Sequence, residues 1–182
     1  MKLLLGILML SISVLAYGQE ISAEITNAAN VSVFKEASRL YSEGKYQATA
    51  VELESVEQKL TQSNTITKTQ KGLIAYWKGI AYNRNQDFPK AIASFDLALN
   101  NDYSPVDLNY EYGQALFAAE KLQEARLQFR ESLKKKFKRG VSLYYIAYIS
   151  KEVGDKKKAV SFYKAIDKLD DSEAQEVKQA AE

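Results

Sequence analysis

Ser161-Phe162-Tyr163-Lys164 and Ser32-Val33-Phe34-Lys35 each place a lysine three residues after a serine. On a helix that spacing sets an amine one turn from a hydroxyl nucleophile. Enzymes built on this pair carry Ser-Asp-Asn and Lys-Thr-Gly motifs as well, and neither occurs in this chain. Chance spacing is the better account. The acidic candidates, Asp170-Asp171 and the set Glu52, Glu54 and Glu57, are spaced like cap or exposed helix residues, and no acidic cluster elsewhere converges on them. With no histidine and no cysteine in the chain, Ser-His-Asp and Cys-His catalysis, thiol redox chemistry and His/Cys zinc sites are excluded. We therefore expect no catalytic residue, no metal site and no cofactor. Asn30-Val31-Ser32 is a glycosylation sequon only in a eukaryotic host.

The other chemical signal is charge. Lys134-Lys135-Lys136-Phe137-Lys138-Arg139 and Lys156-Lys157-Lys158 are the strongest basic runs. Two readings stay open: solvated helix ends whose cations complement the macrodipole, or a contact to an anionic surface. Over the whole chain, 25 basic and 23 acidic side chains leave a net charge of +2, which argues against a nucleic-acid partner. The 182 residues suffice for one domain with a real core, and 46% apolar with 26% charged residues is a globular balance. No disulfide can supplement that core.

The N-terminus reads as an address. Met1-Lys2 supplies a positive charge, Leu3 to Tyr17 is nearly all apolar, and Ala16-Tyr17-Gly18 ends the run with small residues before Gln19. This order predicts a signal peptide over residues 1–18, cleaved after Gly18, and an exported protein, periplasmic or secreted. The run falls short of the roughly 20 residues needed to cross a bilayer, so no integral membrane span is expected in the mature chain. Cleavage removes Lys2 and leaves 24 basic against 23 acidic residues, a net charge of +1.

The elements that must carry these residues announce themselves by repetition. Gly79, Gly113 and Ala147 lie 34 residues apart, as do Ala91, Ala125 and Ala159; Phe95, Phe129 and Tyr163; and Tyr76, Tyr110 and Tyr144. The clearest unit runs from Ala75 to Tyr103, and a weaker one surrounds Ala37, Leu40, Gly44, Tyr46, Thr49 and Leu53. Thr49 stands there in place of alanine, and about eight extra residues follow, with the polar stretch Thr61 to Thr65 as a long loop. Small residues at the first column, and alanines facing them, let two helices approach closely, and the ring column fills the space between units. Gly44 and Gly154 suit the turn within a unit, Asp87 and Asp155 suit N-caps, and Pro89 fits a first helical turn. Asp170-Asp171-Ser172 caps a short final helix.

This pattern resembles the tetratricopeptide repeat, a unit of two antiparallel helices in about 34 residues. The resemblance implies an all-α fold: a right-handed superhelical stack of about four helix pairs over 30–60, 72–105, 106–139 and 140–169, with a capping helix over 171–181, together filling a domain of 19–182. It also implies a role in binding another polypeptide, since the family's first helices line a concave groove. The groove candidates are Phe34, Ser38 and Tyr41; Tyr76, Ile80 and Asn83; Tyr110, Gln114 and Phe117; and Tyr144, Tyr148 and Lys151. The alternative is that the recurring tyrosines pack between units. The Lys/Asn set with which some members clamp a C-terminal carboxylate is absent from these places. The expected function is an exported scaffold or adaptor with a protein or peptide partner; self-association into a structural module and a carbohydrate-binding accessory role are the rivals.

Overall fold

The structure, a computed structural model, describes residues 31–181. The expected signal peptide, its cleavage site after Gly18 and the segment 19–30 lie outside the described residues. Among the described residues the fold is all-helical: α1 (Val31–Ser42), α2 (Tyr46–Gln62), α3 (Lys68–Arg84), α4 (Phe88–Asn100), α5 (Leu108–Ala118), α6 (Leu122–Lys134), α7 (Arg139–Glu152), α8 (Lys156–Ile166) and α9 (Asp171–Ala181).

Several helices start where a side chain can satisfy the first amides. Thr67 and Gln70 form a reciprocal capping box: Gln70 N–H donates to Thr67 Oγ1 at 3.1 Å and Thr67 N–H to Gln70 Oε1 at 2.8 Å. Asp87 and Asp155 accept from the amides of Lys90 and Lys158, and Asp170 from that of Glu173 at 2.9 Å. Gly44 and Gly154 adopt φ of +73° and +80° in the turns after α1 and α7. Gln86 and Glu120 hold the same left-handed conformation in the turns after α3 and α5, at φ of +62° and +59°. The left-handed position thus falls at 86, 120 and 154, the 34-residue period written in the backbone.

From α1 to α8 each helix packs on the next, α1 with α2, α3 with α4, α5 with α6, and α7 with α8 forming helical hairpins. Alternate helices also meet, α3 touching α5 and α9 returning to α7. The glycine and ring columns explain how closely the hairpins close. A Cβ on Gly79 would stand 2.7 Å from Phe95 Cε1, and one on Gly113 would stand 2.9 Å from Phe129 Cε1. The rings therefore occupy the space that the glycines vacate within each hairpin. In the last hairpin this column fails: Tyr163 is 37% exposed, and Phe162 packs against the core instead.

The extra residues after the first unit do not make a long loop. Thr61 and Gln62 belong to α2 and Lys68 already opens α3, so the insertion is absorbed as added helical turns. Both α2 and α3 reach 17 residues, against 13 for α4 and α6. The strong cap at Thr67 sets the start of α3 and leaves only a tight connection before it.

Candidate partner-binding surface

The proposed groove residues divide sharply between the two halves of the molecule. Phe34, Tyr41 and Tyr76 are 2–3% exposed, Ile80 is fully buried, Asn83 is buried and Ser38 is half-buried. These positions on α1 and α3 are not an accessible groove. The reason lies in α3, which is buried from Gly72 to Asn83 everywhere except Lys78. A helix apolar on all faces must be covered on all faces. Trp77 sits between Tyr41 and Tyr76, its ring edge-on to both at centroid distances of 6.1 and 5.0 Å.

Most polar groups in this seam are satisfied internally; among the described residues the buried Trp77 Nε1 has no hydrogen-bond partner. The Tyr76 hydroxyl donates to Asp107 Oδ2 at 2.7 Å. Glu111, 2% exposed, accepts from both Arg84 nitrogens, Nη1 at 2.9 Å and Nη2 at 2.8 Å, and from Asn83 Nδ2 at 3.3 Å. Burial chiefly pushes the pKa of the Tyr41 hydroxyl up to about 12, with the positive charge of nearby Arg84 opposing the rise. Charge-assisted, bidentate pairing of this kind is what lets a carboxylate sit in a core. Neither Arg84 nor Glu111 carried a local signal in the sequence, because the pair spans 27 residues and three helices.

On α5 and α7 the equivalent rings remain partly open. Tyr110, Gln114, Phe117, Tyr144 and Tyr148 are half-buried and Lys151 is exposed. Phe117 stands 5.7 Å from Tyr148 across the seam between the two helices, and Tyr144 lies 6.4 Å from Tyr148 along α7. Gln114 Nε2 donates to the Tyr110 hydroxyl at 3.1 Å. Burial raises the Tyr110 pKa above the ordinary phenol range, so that ring is a neutral donor and acceptor. Tyr145, which the sequence pattern did not single out, anchors the patch: it stacks on Phe129 at 4.5 Å with the planes 3° apart and meets Phe117 edge-on at 5.0 Å. Its signal was the Tyr144-Tyr145 doublet, where one ring faces the core if its neighbour faces out.

The basic run from Lys134 is largely engaged by the fold. Lys134 pairs with Glu131, Lys135 Nζ donates to Ser104 Oγ at 2.6 Å, and Lys138 and Arg139 pair with Glu176 and Glu173 on α9. The run does not simply close a helix. It spans the end of α6, a turn with Lys136 and Lys138 left-handed, and the start of α7.

No family model, curated protein or solved structure matches this chain. What its surface can do must therefore be argued from its own geometry. Among the described residues no group of three or more Asp or Glu is placed to hold a metal ion, and no helix is long and apolar enough to cross a membrane. The arrangement offers aromatic faces, the amide of Gln114 and, at the rim, the exposed cation of Lys151, which is chemistry for holding a ligand.

Proposed function

We propose that this protein is an exported scaffold of tetratricopeptide type that binds a segment of a partner polypeptide across α5 and α7. It is read as non-catalytic, as periplasmic or secreted after cleavage behind Gly18, and as a right-handed stack of about four helix pairs with α9 as its cap. The 34-residue recurrence of left-handed turns and of glycine–ring contacts supports the repeat reading. The export reading rests on the order of residues in the first eighteen positions.

A single contrast carries the functional part. Rings at equivalent places are sealed on α1 and α3 but stand half-open on α5 and α7, where Phe117 and Tyr148 flank one seam. Aromatic anchors with polar neighbours are the residues that dominate interface energies. A helix or strand laid across the seam would cover Tyr144, Tyr148 and Phe117, with Gln114 available to its backbone and Lys151 at the edge. The surface is smaller than a groove along all four first helices, so the recognised segment is short.

Photo-crosslinking tests this reading. Benzoylphenylalanine placed at position 148 should yield a discrete protein adduct in the producing cells, and the same group at position 163 on α8 should not. Identical adducts at both positions, or none at 148, would count against the seam as the binding surface.

A further inference from the structure

We propose that the cleft between α6 and α8 binds the oxyanion group of a small organic anion. It goes beyond the partner-binding reading, since it uses the second helices of the hairpins and not the α5–α7 seam. The cleft has a volume of about 270 Å³ and is lined by Arg126, Arg130, Ile146, Lys158, Ser161 and Phe162. Arg126 and Arg130 stand one turn apart on α6, and Lys158 and Ser161 stand nearly one turn apart on α8. Three cations and a hydroxyl thus converge on one recess from two helices.

Their existing partners leave charge to spare. Lys158 Nζ pairs with Asp155 Oδ2 at 2.6 Å, and Asp155, its pKa held below the usual carboxylate range by Lys158 first and by the more distant Arg126 in part, is among the described residues the one carboxylate engaged with this group. Arg126 Nη2 donates to the neutral Gln123 at 2.8 Å, while its Nη1 is covered and has no hydrogen-bond partner among the described residues. Among the described residues Arg130 makes no ion pair or hydrogen bond, which distinguishes it from the engaged cations of the 134–139 run. Two guanidiniums facing one recess, with Asp155 paired to Lys158 and neither arginine in an ion pair among the described residues, favour an anion there, and their planar forks match phosphate, sulfate or carboxylate geometry.

The recess also has an apolar side. Ile146 is fully buried beneath it and Phe162 is half-buried at its wall. Its volume lies just below the roughly 300–1,000 Å³ typical of small-molecule sites, which suits a compact headgroup with a short apolar body and not a polymer. The larger hollow near α2, about 530 Å³, does not compete: its only cation, Lys78, lies 3.2 Å from Glu57 and 3.8 Å from Glu54, so it is already neutralised.

Titration calorimetry at low salt, with phenyl phosphate and inorganic phosphate as probes of the intact protein, tests the assignment. One-site saturable binding of phenyl phosphate is expected, about tenfold tighter than inorganic phosphate because of the apolar wall. Arg130→Gln should weaken it about tenfold or more. Arg130 is exposed, so its replacement leaves the fold intact; Lys158→Gln gives a second reading from the other helix. Lys136→Gln, an exposed cation outside the cleft, should leave affinity unchanged. No saturable binding of either probe overturns the proposal, as does an equal loss in Lys136→Gln, which would mean diffuse charge. Equal affinity for the two phosphates overturns the organic ligand.

Discussion

Arg84→Met tests the buried seam on which the division of the surface depends. Glu111 is 2% exposed and its carboxylate draws two hydrogen bonds from Arg84 at 2.8 and 2.9 Å, with Asn83 as a longer third donor. Removing the partner of a fully buried charge costs about 3–5 kcal/mol. The Arg84 side chain is 32% exposed, so part of its role passes to water and the expected cost falls to about 2–3 kcal/mol. Glu111→Leu should cost less, about 1–2 kcal/mol, since the partly exposed guanidinium can hydrate. The double variant should then recover part of the loss, giving a coupling energy of at least about 1 kcal/mol. Urea unfolding of the four proteins, followed by helical circular dichroism, measures the cycle, with unchanged slopes required for comparison. Additive effects, with coupling below about 0.3 kcal/mol, would refute the pair as a structural tie between α3 and α5.

Two further outcomes follow from the packing and the phenols. Gly113→Leu should destabilise by about 1–3 kcal/mol or more, because its Cβ alone meets Phe129 at 2.9 Å and Tyr145 backs that ring; Gly154→Ala, with open space around it, should cost only the about 1–2 kcal/mol of a left-handed φ, and urea melts separate the two. Tyr41, with its pKa raised to about 12 by burial, and Tyr110, Tyr82 and Tyr112, raised further in the same direction, bind their protons more tightly folded than unfolded. The contribution of these phenols to stability should therefore be fully present below about pH 10, the unfolded phenol value, and be lost as pH rises from there through 12, which melts at stepped alkaline pH would register.

The sequence showed the parts of this fold whose causes are local or periodic. Asp87, Asp155 and Asp170 cap helices because a short acceptor precedes each, and Gly44 and Gly154 turn the chain because left-handed φ favours glycine. The glycine and ring columns pair because each pair lies within one hairpin. Ring exposure was not legible from the columns, because Tyr76, Tyr110 and Tyr144 look equivalent by period while their neighbours differ. One overlooked signal was the nearly unbroken apolar stretch from Gly72 to Asn83, which cannot present a face to solvent. Pairings that join distant residues, Arg84 with Glu111, Lys138 with Glu176, and Arg126 beside Lys158, leave no trace in local spacing. The insertion after α2 illustrates the same limit: polar residues at 61–65 suggested a loop, but Thr61 bonds its hydroxyl back to the Glu57 carbonyl at 2.7 Å and stays helical.

The most direct measurement is titration calorimetry of the crosslinked partner, or the segment of it that carries the adduct, against the wild type, Tyr148→Ala, Phe117→Ala and Arg130→Gln, each with a thermal melt alongside. Truncating a central aromatic anchor costs about 2 kcal/mol or more, roughly thirtyfold in affinity. Tyr148→Ala and Phe117→Ala should each weaken binding by that order. The melting midpoint should barely move for Tyr148→Ala, and Arg130→Gln should bind the partner as the wild type does. Full binding by both ring variants, or loss in Arg130→Gln alone, would contradict the α5–α7 seam as the partner surface.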